Sequence, residues 1–115
     1  MKEIAVDFIR SHVECPTCHN MCRMHSIGTR RIRTIGVSEP TVMNIRYSKH
    51  RCKACEKFFS VDMSSVAMPH GHYSNEVRNI AIQLYNTGVS LEKVSGKMRR
   101  EHYVDVPITT IHCWL

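Results

Sequence analysis

Along the first 61 residues, apolar and polar positions alternate in short runs. Arg31-Ile32-Arg33-Thr34-Ile35 repeats with the two-residue period of a half-buried strand. Thr41-Val42-Met43-Asn44-Ile45-Arg46-Tyr47 follows that period less strictly, and Phe58-Phe59-Ser60-Val61 reads as a third short strand. Gly36 through Pro40 supply turn chemistry between the first two runs. Ahead of them, Ile4, Phe8 and Ile9 predict a short helix packed on the strands.

After residue 61 the period lengthens. Residues 62–73, with Ser64, Ser65, Pro69 and Gly71, read as a linker. From Ser74, a capping residue, Val77, Ile80, Ala81, Leu84 and Tyr85 fall on one helical stripe, which Gly88 ends. Ser90 caps a second helix, with Leu91, Val94, Ser95 and Met98 facing inward and Lys97, Arg99 and Arg100 near its end. Pro107 opens a third, over 108–115, carrying Ile111, Trp114 and Leu115. Helix, glycine-containing turn (Thr87-Gly88-Val89), short helix, third helix is the order of a helix-turn-helix. The expected fold is small α+β, short antiparallel strands followed by three helices, with 1–61 and 74–115 as its two parts.

Composition keeps this picture within ordinary bounds. Apolar residues make up 43% and charged residues 23%, which excludes wholesale disorder. No apolar run approaches the ~20 residues of a membrane span, and Met1-Lys2-Glu3-Ile4 does not begin like an export signal. The expected location is therefore cytoplasmic. The net charge of +6 lies wholly in the first half: residues 1–61 hold eleven Lys or Arg and five Asp or Glu, residues 62–115 five of each. A basic half beside a neutral one points to a polyanionic partner, with a merely solvated basic face as the plain alternative.

The cysteines change the picture most. Cys15-Pro16-Thr17-Cys18 and Cys52-Lys53-Ala54-Cys55 are two Cys-x-x-Cys pairs with residues 19–51 between them. A two-residue gap lets both thiolates of a tight turn face one ion, and two such turns close a tetrahedron. Zinc suits four sulfurs best; iron of the rubredoxin type is the competing metal. With every position filled by protein the zinc is structural, and its binding energy becomes folding energy for a ribbon too small to fold on apolar burial alone. Cys15, Cys18, Cys22 and His25 could instead form a compact knuckle, which would strand Cys52 and Cys55. Otherwise Cys22 is a small thiol, and His19, His25 and the pair in His70-Gly71-His72 are solvated imidazoles.

Candidate nucleic-acid contacts follow from charge and element order. Arg30, Arg31 and Arg33 on one strand, with Arg46, Lys49, Arg51 and Lys53 on its neighbour, would give a phosphate-contacting face or simply an exposed polar one. Lys97, Arg99 and Arg100 would contact phosphate or only complement the helix dipole. In a helix-turn-helix the last helix enters the major groove, which puts Ile108, Thr109, His112 and Cys113 outward and Ile111 and Trp114 inward. Exposed Met21, Met24, Met63 and Met68 would suit an adaptable protein-docking surface, or a homodimer. Neither a nucleophile–base–orienter set close in sequence nor a phosphate-cradling glycine loop occurs, so a binding module is expected and a complete enzyme is not.

The order of features resembles the N-terminal region of bacterial and archaeal insertion-sequence transposases of the zinc-ribbon, DDE type. Cys15-Pro16-x-Cys18, the Arg30/Arg31/Arg33 stretch, and Tyr47-x-x-x-Arg51-Cys52-x-x-Cys55 followed by Phe58-Phe59 carry the likeness. Ala81-x-x-Leu84-Tyr85-x-x-Gly88-Val89-Ser90-Leu91-x-x-Val94 and Thr110-Ile111-x-x-Trp114-Leu115 extend it to the end of the chain. The resemblance implies binding of double-stranded DNA at mobile-element ends, with cleavage left to a separate C-terminal nuclease domain outside this sequence and the third helix cut short. A stand-alone transcription regulator and a protein-interaction ribbon are the alternative functions. Many family members have glycine after each cysteine pair; here His19 and Glu56 stand there and must tolerate an unusual backbone angle.

Overall fold

The computed structural model describes residues 1–115. Strands β1 (Lys2–Phe8), β2 (His12–Glu14), β3 (Met21–Thr34), β4 (Thr41–Arg51) and β5 (Phe58–Ser60) precede helices α1 (Asn75–Asn86), α2 (Leu91–His102) and α3 (Ile108–Cys113). The five strands form one sheet of order β1-β4-β3-β2, with β5 also on β4. The molecule measures 50 × 28 × 17 Å. The cysteine turns lie where β2, β3, β4 and β5 converge, and the helices gather at the Thr34–Thr41 end. No helix is long and apolar enough to cross a membrane.

The expected α+β order stands, with three corrections. The N-terminal segment is a strand, not a helix, and it runs parallel to β4 from Lys2↔Thr41 to Phe8↔Tyr47, so the sheet is mixed. Ile4, Val6 and Phe8 share the face of Ile45, and Val6 and Phe8 pack beside Ile32, Ile45 and Ala67; the apolar spacing follows the two-residue period of a strand, not a helical one. The central strands are long, 14 residues in β3 and 11 in β4. Their shared register breaks between Met24 and Ser26, an irregularity that lets β3 continue past His25. Met63 is half-buried against Ile32, Ile45 and Ala67, which removes it from the exposed methionines.

Residues 62–73 connect the sheet to the helices and cover one of its faces. Ala67 is buried there, His72 O accepts from Arg33 N at 2.9 Å, and Ser74 N donates to Arg33 O at 2.9 Å. The Ser74 hydroxyl bonds that of Thr34 at 2.9 Å and accepts from Val77 N, so one side chain ties the sheet to α1 and caps the helix. Ser90 caps α2 in the same way through Lys93 N. Gly88, at φ 92, makes the turn between α1 and α2. Val77, Ala81, Val94, Met98, Val104, Val106 and Ile111 form the helical core, with Ile80, Leu84 and Leu91 around it.

Candidate metal centre and nucleic-acid interface

Cys15 and Cys18 lie in the turn between β2 and β3, and Cys52 and Cys55 in the turn between β4 and β5. The pairing of β3 with β4 brings the turns together, and the four sulfurs lie within 4.8 Å of one another. Sγ of Cys15 is 3.6 Å from Sγ of Cys55, and Sγ of Cys18 is 3.3 Å from that of Cys52. Four sulfurs at ~2.3 Å from one ion would stand about 3.8 Å apart, so the cluster has the size of a tetrahedral metal site. It is a four-cysteine group able to hold one metal ion.

The two turns share one backbone conformation. Cys15 N donates to Asn20 O at 2.8 Å and Cys52 N to Lys57 O at 2.9 Å, closing each loop. The residues following the second cysteines, His19 and Glu56, are left-handed at φ 63 and φ 56. Backbone N–H groups of Cys18 and Thr17 hold the Cys15 thiol below its ordinary value. The N–H of Cys55, aided by the Cys18 thiol, holds Cys52 down to about 6. For Cys18 the N–H of Asn20 acts downward, but the Cys52 thiol and burial together raise it. Neighbouring Cys52 first, then burial, push Cys55 up to about 12. Each short sulfur–sulfur contact therefore joins a thiol held above its ordinary value to one held below it.

Cys22 stays outside this set. It is buried against Cys15 and Cys52, its thiol donates to Asn20 O at 3.3 Å, and burial pushes it up to about 11. His25 is exposed and meets the Phe58 ring edge-on, so the compact alternative with Cys22 and His25 is not assembled. A residue not singled out by sequence supports the site from beneath. His50 is fully buried, with Nδ1 3.0 Å from Cys22 O and Nε2 2.8 Å from Ser48 Oγ, and its ring stacks on Phe59 at 5.6 Å. Because a carbonyl only accepts, Nδ1 donates to Cys22 O, while Nε2 bonds the Ser48 hydroxyl, which also reaches Phe8 O at 3.4 Å.

The basic residues do not form one face. On β3 and β4, Arg31, Arg33 and Arg46 are exposed on the front of the sheet, together with Thr29 and the half-buried Asn44. Lys49 and Arg51 follow the opposite phase and lie on the back, with Lys53 beyond them in the second cysteine turn. Arg30 is also on the back, where its guanidinium donates to Met68 O at 2.9 Å and Gly71 O at 2.8 Å; it fastens residues 68–71 to the sheet. On the front, Arg31 pairs with Glu3 at 3.2 Å, and Asp7 stands opposite Arg46.

The front face continues into the helices. Arg31, Arg33, His72, Tyr73 and Thr110 line one recess, and Arg33 lines a second with Arg99, Tyr103 and Asp105. Arg99 is 3.3 Å from the Asp105 carboxylate; Arg100 is exposed and Lys97 half-exposed. Along α3, Ile108, Thr109, His112 and Cys113 are exposed, Ile111 is buried, and Trp114 sits edge-on to Tyr73 at 5.7 Å. No protein-family model, curated protein or solved structure matches this chain.

Proposed function

We propose that the chain is a zinc-stabilised module that reads the sequence of duplex DNA, acting as the end-recognising region of an insertion-sequence transposase. One observation carries the reading: Thr110 of α3 and the sheet cations Arg31 and Arg33 line one recess, with Arg99 adjoining through Arg33. A duplex seated on this side meets phosphate-binding side chains from the sheet and the exposed row Ile108, Thr109 and His112 from α3. Zinc, held by Cys15, Cys18, Cys52 and Cys55, has a structural role, fixing the far ends of β3 and β4. Chemistry on the DNA is left to other parts of the transposition machinery.

The test is selection of bound duplexes from a random-sequence pool by zinc-loaded protein at physiological salt. An enriched motif is the expected result, and its symmetry reports whether one copy or two bind. Salt-sensitive retention without a motif would reduce the reading to phosphate gripping. No retained DNA from folded, metal-loaded protein would overturn it.

A further inference from the structure

The back of the sheet near the cysteine turns carries cations that a duplex on the front leaves unused. Tyr47, Lys49 and Arg51 share this face at alternate positions of β4, and β5 places Phe58 opposite Arg51. Arg51 Cζ lies 5.6 Å from the centroid of the Phe58 ring, and Lys49 Nζ 5.9 Å from that of Tyr47. The Tyr47 ring and the Lys49 stem lie down across β3 at Gly28, where an added Cβ would stand 2.5 Å from Tyr47 Cζ and 2.6 Å from Lys49 Cε. Two aromatic rings and two cations therefore run in a row along the strand. Phe58 nonetheless remains 65% exposed. Beside it, a recess lined by Arg23, His25, Arg51 and Lys53 contains no carboxylate. Asp62, which borders Tyr47, is occupied in accepting the Ser64 N–H at 2.8 Å.

A phenylalanine this exposed contributes little to the core, so its place among cations calls for a ligand with both a flat apolar face and negative charge. A duplex offers the charge but keeps its base faces inside the stack. An acidic peptide offers the charge and leaves the ring unused. Unpaired nucleotides offer both, and stacking of bases on aromatic rings over a basic groove is the usual mode of single-strand binding. We infer that this row binds single-stranded DNA, with a base stacked on Phe58 and the adjoining phosphates at Arg23, Arg51 and Lys53. The choice of DNA over RNA rests on the duplex-DNA reading above; the site itself does not.

The experiment measures binding of labelled oligothymidylate to the zinc-loaded full chain, with oligouridylate and polyglutamate as competitors. Phe58→Ala should weaken oligothymidylate binding about tenfold, leave zinc content and duplex affinity unchanged, and be rescued by Phe58→Tyr. Equal affinity of Phe58→Ala and the parent protein would overturn the inference, as would polyglutamate competing as well as oligothymidylate. Preference for oligouridylate would overturn the choice of DNA. Loss of duplex binding with oligothymidylate binding intact would remove the front-face reading alone.

Discussion

His19 and Glu56 occupy matching left-handed positions, φ 63 and φ 56, directly after Cys18 and Cys55. Both turns bend back at these residues so that the following chain can return a carbonyl to the first cysteine's N–H, Asn20 to Cys15 and Lys57 to Cys52. A side chain at such an angle costs about 1 kcal/mol, which glycine avoids at some loss of unfolded-state entropy.

Glu56 is exposed, so its substitution isolates the backbone term. Glu56→Gly should leave stability equal or raise it by up to about 1 kcal/mol. Glu56→Val, β-branched and poorly suited to positive φ, should lower it by about 1–2 kcal/mol. Thermal melting of the zinc-loaded protein, with chelator competition for metal retention, reads both. A valine variant as stable as the parent would show that the turn does not need this angle.

The sulfur pairing sets how many protons metal binding expels. Cys52, held to about 6, is already a thiolate at pH 7.5, whereas Cys55 at about 12 and the raised Cys18 keep their protons. Zinc uptake at pH 7.5 should therefore release fewer than four protons; calorimetry in buffers of different ionisation enthalpy counts them. Without metal, the lowered Cys52 thiol favours the fold above its ordinary value of 9.0, and that contribution fades as pH falls towards about 6. Cys55 acts with the opposite sign: its contribution is present below 9.0 and is lost as pH rises through about 12. With metal bound all four sulfurs must be thiolates, so affinity falls on acidification. Release of four protons would mean that the metal-free turns do not hold the sulfurs in these contacts.

How much of this was legible in the sequence depended on the range of the interaction. The cysteine set and the caps Ser74 and Ser90 were readable because ligand spacing and helix capping are local. The strand character of residues 2–8 was not, since Ile4, Val6 and Phe8 gain their burial from β4 and from residues 63–67, far along the chain. Arg30 reads as one of a basic run with Arg31 and Arg33, and nothing local says that residues 68–71 cover the side it faces. His50 stands between Lys49 and Arg51 in a run that reads as polar; only the returning strands β3 and β5 bury it.

His50 should consequently matter more to the fold than any charged neighbour. Replacing it with Ala removes the stack on Phe59 and leaves Cys22 O and Ser48 Oγ without their imidazole partner. Ser48 Oγ keeps Arg10 N and Phe8 O, so the lost Cys22 O bond, the lost stack and a cavity together should lower stability by about 2–4 kcal/mol. Denaturant unfolding of the metal-loaded protein checks this, with Lys49→Ala and Arg51→Ala, both exposed, changing it by under about 0.5 kcal/mol. A loss of similar size at all three positions would remove the buried network from the account of stability.

Glu3 provides the last test, because it partners a proposed phosphate contact. Its carboxylate lies 3.2 Å from the Arg31 guanidinium, both half-exposed, and would compete there with a DNA phosphate. An exposed pair of this kind contributes only about 0–1 kcal/mol to stability, so Glu3→Gln should leave melting almost unchanged. Its effect belongs to binding. Removing the competing charge should raise duplex affinity at low salt, and Arg31→Gln should lower it and flatten the salt dependence by about one unit of slope. Thr109→Ala and His112→Ala should instead blur the preferred motif while leaving that slope intact, since base contacts release few counterions. Fluorescence anisotropy across a salt series with the selected duplex measures each. If Glu3→Gln and Arg31→Gln both left the slope unchanged, the phosphates would lie away from the front of the sheet, and the duplex would be held by the helices alone.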